Sequence, residues 1–240
     1  MGFILLETLL LVGNACVFAQ SSSISSISTT AVEQQTIHQL FDAAVGKGKL
    51  LNYGAAYYRV GSRTIGHPFY KADSFFLANL SYNKVLYKAV PVLYDIQQGC
   101  LIIKSSDGEM PICLFRELID SVVIDRSRFF RIDAVIDGNQ LHDLVELVVE
   151  GTYSFFVRHR KVLLSQAAAG ENSLPVYHER FDWLVKHDKK WSSIDSEQEL
   201  LSLFIREKEQ LRLMMRKNKW SFKKDPRNTI TGILNYINSK

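Results

Sequence analysis

From residue 50 to about residue 194 the chain alternates apolar and polar side chains with a period of two, and this constrains the fold more than any other feature. The stretches that carry it are "YGAAYYRV", "SFFLANL", "KVLYKAVPVLYDI", "CLIIK", "MPICLF", "DSVVID", "RFFRIDAVI", "LVELVVE", "YSFFVRHRKVLL" and "YHERFDWLVKH". Each is rich in β-branched or aromatic residues and ends at Gly, Asn, Asp or Ser. The connections are too short for parallel crossovers, so the strands are expected to pair as an antiparallel meander. That many strands laid flat would expose costly edges, which predicts a sheet curled into a barrel-like form or folded into a sandwich.

The longest alternating run, Tyr82 to Phe115, allows a finer reading. Val85, Tyr87, Ala89 and Pro91 share one parity, whereas Val90, Val92 and Tyr94 share the other. A bulge near Pro91 would switch faces and turn the sheet through a corner. Val92 and Tyr94 are then expected to point inward with Leu101 and Ile103, leaving the opposite face wet. Cys100 and Cys113 flank the "SSDG" turn. A four-residue loop would set them directly opposite; a two-residue "DG" turn would set them diagonally on one face. Two buried thiols acting as small hydrophobes are favoured over a disulfide.

The flanks have other patterns. "MGFILLETLLLVGNACVFAQ" reads as a signal peptide over residues 1–20, cleaved after Ala19 or Gln20, although no Lys or Arg precedes its apolar run and Glu7 interrupts it. That run is shorter than the ~20 residues of a membrane span. "SSSISSISTT", residues 21–30, is a flexible serine-rich linker. The β domain is expected over residues 31–194 and opens with a short helix. In that helix Thr30 and Glu33 have capping-box spacing, and Ile37, Leu40, Phe41 and Ala44 form the apolar stripe.

Residues 195–240 read as a helical hairpin packed on the β domain. Ser196 and Glu199 cap a first helix with a stripe of Leu200, Leu201, Phe204, Leu211, Met214 and Met215. Asp225 and Pro226 suit the start of a second helix, whose apolar face is Ile230, Ile233, Leu234 and Ile237.

Local chemical motifs are sparse. The six histidines show no metal-ligand spacing, and each, His159 in its strand included, reads as solvated. There is no nucleophile elbow, no calcium loop and no reactive-cysteine setting; Asp133 and Asp137 lack calcium-loop spacing. No catalytic, cofactor-binding or metal-binding residue is assigned, and no cofactor is implied. A hydrolase would have to gather its carboxylates from distant strands. The basic tail from Arg206 to Arg227, with Trp220 and Phe222 interleaved, is a solvated helix face or a contact for an anionic surface. In "GHPFY", Gly66 to Tyr70, the aromatics either plug the end of the core or bind a sugar or peptide.

"GHPFY", "YNKVLYKAVPVLYD", "VELVVEGTYSFFVRHRK" and the closing "ELLSLFIREKEQLRLMMRKNKWSFKKDPRNTITGILNYIN" together resemble a family of uncharacterised exported β-rich proteins common in Bacteroidota. The resemblance runs from about Tyr53 onward and implies a periplasmic or secreted protein. It brings no catalytic residues. The expected function is a non-enzymatic binding or scaffolding role in the cell envelope with an unknown envelope partner, nucleic acid being excluded by export. The alternatives are a hydrolase of an envelope polymer and a peripheral membrane binder working through the basic tail.

Overall fold

Tight two-residue turns pin much of the sheet. The computed structural model describes residues 49–52, 54–59, 63–105, 110–165 and 174–240. Asn83-Lys84, Asp125-Arg126 and Asp137-Gly138 all take positive φ between directly paired strand ends, the geometry whose twist matches that of the flanking strands.

The strands are β1 (Gly54–Ala56), β2 (Phe76–Tyr82), β3 (Val85–Asp95), β4 (Cys100–Lys104), β5 (Pro111–Leu114), β6 (Ile119–Ile124), β7 (Ser127–Ile136), β8 (Asn139–Val149), β9 (Tyr153–Leu164), β10 (Val176–His187) and β11 (Lys190–Ser193). Each alternating stretch of the sequence contributes one strand. β11 is added by the turn at Asp188, which itself has positive φ. All eleven form one sheet in the order β1-β5-β4-β3-β2-β6-β7-β8-β9-β10-β11. Every ladder is antiparallel, as expected of a meander, and the sheet is not closed: β1 and β11 are its two edges. Only β1 beside β5 and β2 beside β6 break the sequential order. The ends of distant strands nevertheless meet, for Lys161 N donates to Ile96 O at 3.3 Å.

The expected bulge exists, two to three residues earlier than Pro91. The register of β3 on β2 slips between Leu80↔Tyr87 and Ala78↔Val90, so Lys88 and Ala89 together oppose Asn79. Ala89 takes φ 54° there, and its N–H reaches Asn79 Oδ1. Tyr87 and Val90 consequently pack against the same core despite opposite parity. Val92, Tyr94, Leu101 and Ile103 are all buried in that core, as expected. The other face of these strands is not wet, however. Leu93, Cys100 and Ile102 are buried there under Tyr57 and Phe69, so the segment preceding β2 covers what alternation alone would expose. Phe69 and Tyr70 of "GHPFY" thus serve as core plugs on two separate clusters.

The two-thiol reading of Cys100 and Cys113 is overturned. They form a disulfide, with Cα atoms 5.7 Å apart. Cys113 lies opposite Ile102, which places Cys100 diagonally on the same face.

Three helices follow the sheet: α1 (Glu197–Ser202), α2 (Lys208–Asn218) and α3 (Pro226–Asn238). Both expected N-caps are present. Ser196 Oγ accepts from Glu199 N at 3.2 Å, and Asp225 Oδ1 accepts from Asn228 N at 3.0 Å. The single first helix expected from the apolar stripe is split. Phe204 N bonds Leu201 O and Glu207 N bonds Phe204 O, tighter i→i+3 turns that re-phase the chain. The re-phasing keeps Leu200, Leu201, Phe204, Leu211 and Met215 buried while Met214 is only half-buried. Ile230, Ile233 and Leu234 of α3 are fully buried with Val149, Phe155, Val157 and Val185 of the sheet, and Ile237 packs against them. Among the described residues no helix is long and apolar enough to cross a membrane. The expected signal peptide, linker and first helix lie outside the described residues.

Candidate functional site

Where α3 begins, beside the aromatic end of the first core, lies a pocket of about 630 Å³. Three neighbouring strands supply its ionisable groups. Glu146 comes from β8, His159 from β9 and Glu179 from β10, and alternation puts all three on the face that carries the helices. A second bulge, between Leu147 and Val149 of β8, lets Glu146 share that face with Val149. Arg227 enters from the first turn of α3, just past the Asp225 cap.

These side chains form one linked cluster. Arg227 donates from Nη1 to Glu146 Oε2 at 2.8 Å and from Nη2 to Oε1 at 2.9 Å, a bidentate fork. His159 Nε2 donates to Glu146 Oε2 at 2.8 Å. The other imidazole nitrogen, Nδ1, has no hydrogen-bond partner, and Glu179 Oε1 stands 3.8 Å away. His159 is only 7 % exposed and Glu146 is also buried. The solvated reading of His159 is therefore wrong: its strand faces inward here, and the carboxylates that accommodate it come from other strands.

Charge and burial compete within the cluster. Burial opposes ionisation of Glu146, but hydrogen bonds from His159, Arg227 and Ser127 outweigh it and hold the carboxyl well below the usual range. Burial likewise disfavours charge on His159, yet its contacts with Glu146 and Glu179 raise its pKa above the ordinary 6.5. Contact with His159 lowers Glu179 despite a smaller burial penalty. These contacts shift His159 toward the imidazolium, in which Nε2–H is given to Glu146 and Nδ1–H lies on the side of Glu179.

Aromatic rings frame this polar centre. Tyr70 meets His159 edge-on at 5.0 Å and Phe181 does so at 5.4 Å. Phe181 and Trp183, two apart on β10, stack at 5.3 Å with an interplanar angle of 22°. Phe181 remains 40 % exposed, so a ring face stays open to whatever enters. Tyr70 donates its hydroxyl to Ser127 Oγ at 3.0 Å.

Of these residues, the sequence reading had singled out only His159, Tyr70 within "GHPFY" and Arg227 within the basic tail. Glu146 and Glu179 went unnoticed because each sits in a strand otherwise typical of its neighbours. The one available signal was a charged residue at an inward parity position: Glu146 keeps step with buried Leu144. Two other histidines lie outside the pocket lining. His142 bonds Asp133 on the surface, and His187 stacks on Tyr153 at 4.1 Å. Among the described residues no group of three His, Cys, Asp or Glu side chains could hold a metal ion. Set against protein-family models, curated proteins and solved structures, the chain matches none.

Proposed function

We propose that the protein is a non-enzymatic binding protein of the bacterial cell envelope, periplasmic or secreted, whose ligand seats in the Phe181–Trp183 pocket. The observation that carries this reading is the mutual pairing of the buried charges. Both oxygens of Glu146 are occupied by Arg227 and His159. A glycoside hydrolase of the two-carboxylate kind needs one carboxyl kept protonated as acid and a second poised as base or nucleophile. Here both carboxyls are pushed downward, so neither stores a proton for a leaving group. A concave site with aromatic walls and a few fixed polar groups suits binding.

The location rests on separate support. The Cys100–Cys113 disulfide is compatible with an oxidising compartment, and the resemblance to exported Bacteroidota proteins points the same way. The Lys161–Ile96 bond supports a sheet curled toward a barrel-like wall, with α2 and α3 bracing it as a helical hairpin. A second reading, attachment to an anionic membrane surface, is favoured by two exposed apolar residues near basic ones. Ile205 is 78 % and Leu213 63 % exposed, with Arg206, Arg216, Lys217 and Lys219 around them.

Co-sedimentation with isolated envelope fractions tests the proposal. Wild type should be retained, Phe181→Ala/Trp183→Ala should be lost, and no soluble fragments should appear. Release of reducing ends would install the hydrolase alternative. Equal retention of both proteins, abolished instead by Ile205→Ser/Leu213→Ser, would move binding to the basic tail.

A further inference from the structure

The buried nitrogen left without a partner is the most specific clue in the molecule. A buried polar atom without a hydrogen bond is destabilising, and one carried by a residue that lines a pocket marks where a ligand atom belongs. His159 Nδ1 is such an atom, and Glu179 Oε1 stands 3.8 Å from it. The pair is too far apart to bond well and too close to admit a bulky group. A single oxygen at normal hydrogen-bond distance from both would subtend an angle of about 85° between them. That oxygen must accept from Nδ1–H and donate to a carboxylate. An alcohol hydroxyl does both, as water does; a carboxylate or fully ionised phosphate oxygen cannot donate, and an ammonium cannot accept.

The surroundings narrow the choice further. The stacked rings of Phe181 and Trp183 offer a flat apolar face beside this hydrogen-bonding gap. The cations at the pocket are spoken for or balanced. Arg227 is forked onto Glu146, Lys71 is paired with Asp125, and Lys224 lies beside Asp225. With Glu146 and Glu179 also present, an anionic ligand gains little net attraction. A ligand with one flat C–H face and hydroxyls around its rim meets all of these conditions.

We propose that the pocket binds a neutral sugar ring, stacked on Phe181 and Trp183, with one hydroxyl bridging His159 Nδ1 and Glu179. The assignment rests on the binding reading above and names its ligand class. A ring seated there would supply the missing partner of His159, and it would need no change in the Glu146–Arg227 fork.

The test uses the full chain on a panel of neutral glycans, including maltotetraose, cellotetraose and triacetylchitotriose, with inorganic phosphate and tetramethylammonium as controls. Binding is followed by tryptophan fluorescence and calorimetry. At least one neutral glycan should bind saturably. Phe181→Ala and, separately, Glu179→Gln should each weaken it roughly tenfold or more. Both side chains are substantially exposed, so the variants should remain folded, which circular dichroism checks, although each loses a contact with His159. Failure of every neutral glycan, binding of phosphate or tetramethylammonium in their place, or glycan binding indifferent to both substitutions would overturn the proposal. The two readings fall separately. Reducing ends released during the titration would sink the non-enzymatic reading and leave the sugar assignment intact. Pocket-dependent retention on envelope fractions without glycan binding would sink the sugar assignment alone.

Discussion

Strands β8, β9 and β10 carry a charged cluster on each face, built from similar residues and organised differently. On one face Arg158 reaches Asp143 at 2.7 Å and Asp182 at 3.4 Å, while Arg160 forks onto Asp182 at 2.9 and 2.6 Å. The spare oxygen of Asp143 accepts from Leu144 N, so both carboxylates are fully engaged. The arginines and Asp182 are only partly covered, and water screens what they do. On the other face Glu146 and His159 are buried, Arg227 arrives from a helix, and Nδ1 of His159 is left over. The contrast teaches how to separate scaffolding from function on one sheet. The half-wet network has every carboxylate oxygen bonded, whereas in the buried network beside the larger pocket His159 Nδ1 lacks a hydrogen bond, and that is where the proposed ligand would sit.

The largest expected effect comes from removing the carboxylate at the centre of the buried face. Glu146→Ala strands buried His159 without its counter-charge, and breaking a buried pair costs about 3–5 kcal/mol; Arg227, 42 % exposed, adds little because water can replace its partner. Urea denaturation should show the loss directly. A change under about 1 kcal/mol would put Glu146 on a par with exposed ion pairs and erase the distinction between the faces.

Next in size is the packing that delivers Arg227. Leu234 is fully buried against the sheet, about two turns along α3 from Arg227. Leu234→Ala should lower stability by about 3 kcal/mol through lost burial and the cavity left behind. An unchanged midpoint would mean that α3 does not hold the pocket in place.

The pH profile sharpens the comparison further. His159 has a raised pKa in the folded state, so its stabilisation is complete below the unfolded value of 6.5 and fades as pH rises through the folded value. Glu146 is lowered, so its contribution is present above 4.5 and fades as pH falls through the folded value. The denaturation midpoint should therefore gain most from the cluster between pH 4.5 and 6.5. His159→Gln should flatten the alkaline limb and also weaken the acidic one, because His159 is among the donors that lower Glu146. A profile whose alkaline limb is the same with and without His159 would show that the imidazole carries no linked charge.

The smallest effect belongs to the opposite face. Asp182→Asn should cost no more than about 1 kcal/mol, because its partners remain partly solvated. High salt should reduce even that difference. A loss matching that of Glu146→Ala would make both faces equally structural.

Neighbouring residues determined a good deal of this protein by themselves. Side-chain parity along a strand is a local property, so Val92, Tyr94, Leu101 and Ile103 could be assigned to the core, and the switch of parity between Ala89 and Val90 disclosed a bulge. Caps act across three residues, which is why Ser196 and Asp225 were legible as helix starts. What the tertiary structure alone decided involves groups far apart in the chain. Leu93 and Ile102 are covered by a segment that no periodicity assigns to them, and α1 and α2 are separated by turns with no Gly or Pro to announce them. The pocket is the clearest case. Arg227 and Glu146 are 81 residues apart, and His159 and Glu146 13, so nothing in either neighbourhood signals the other. Whether a glutamate in an alternating strand is wet or buried depends on which helix lies over it, and that is set by the packing of Ile230, Ile233 and Leu234 on the sheet.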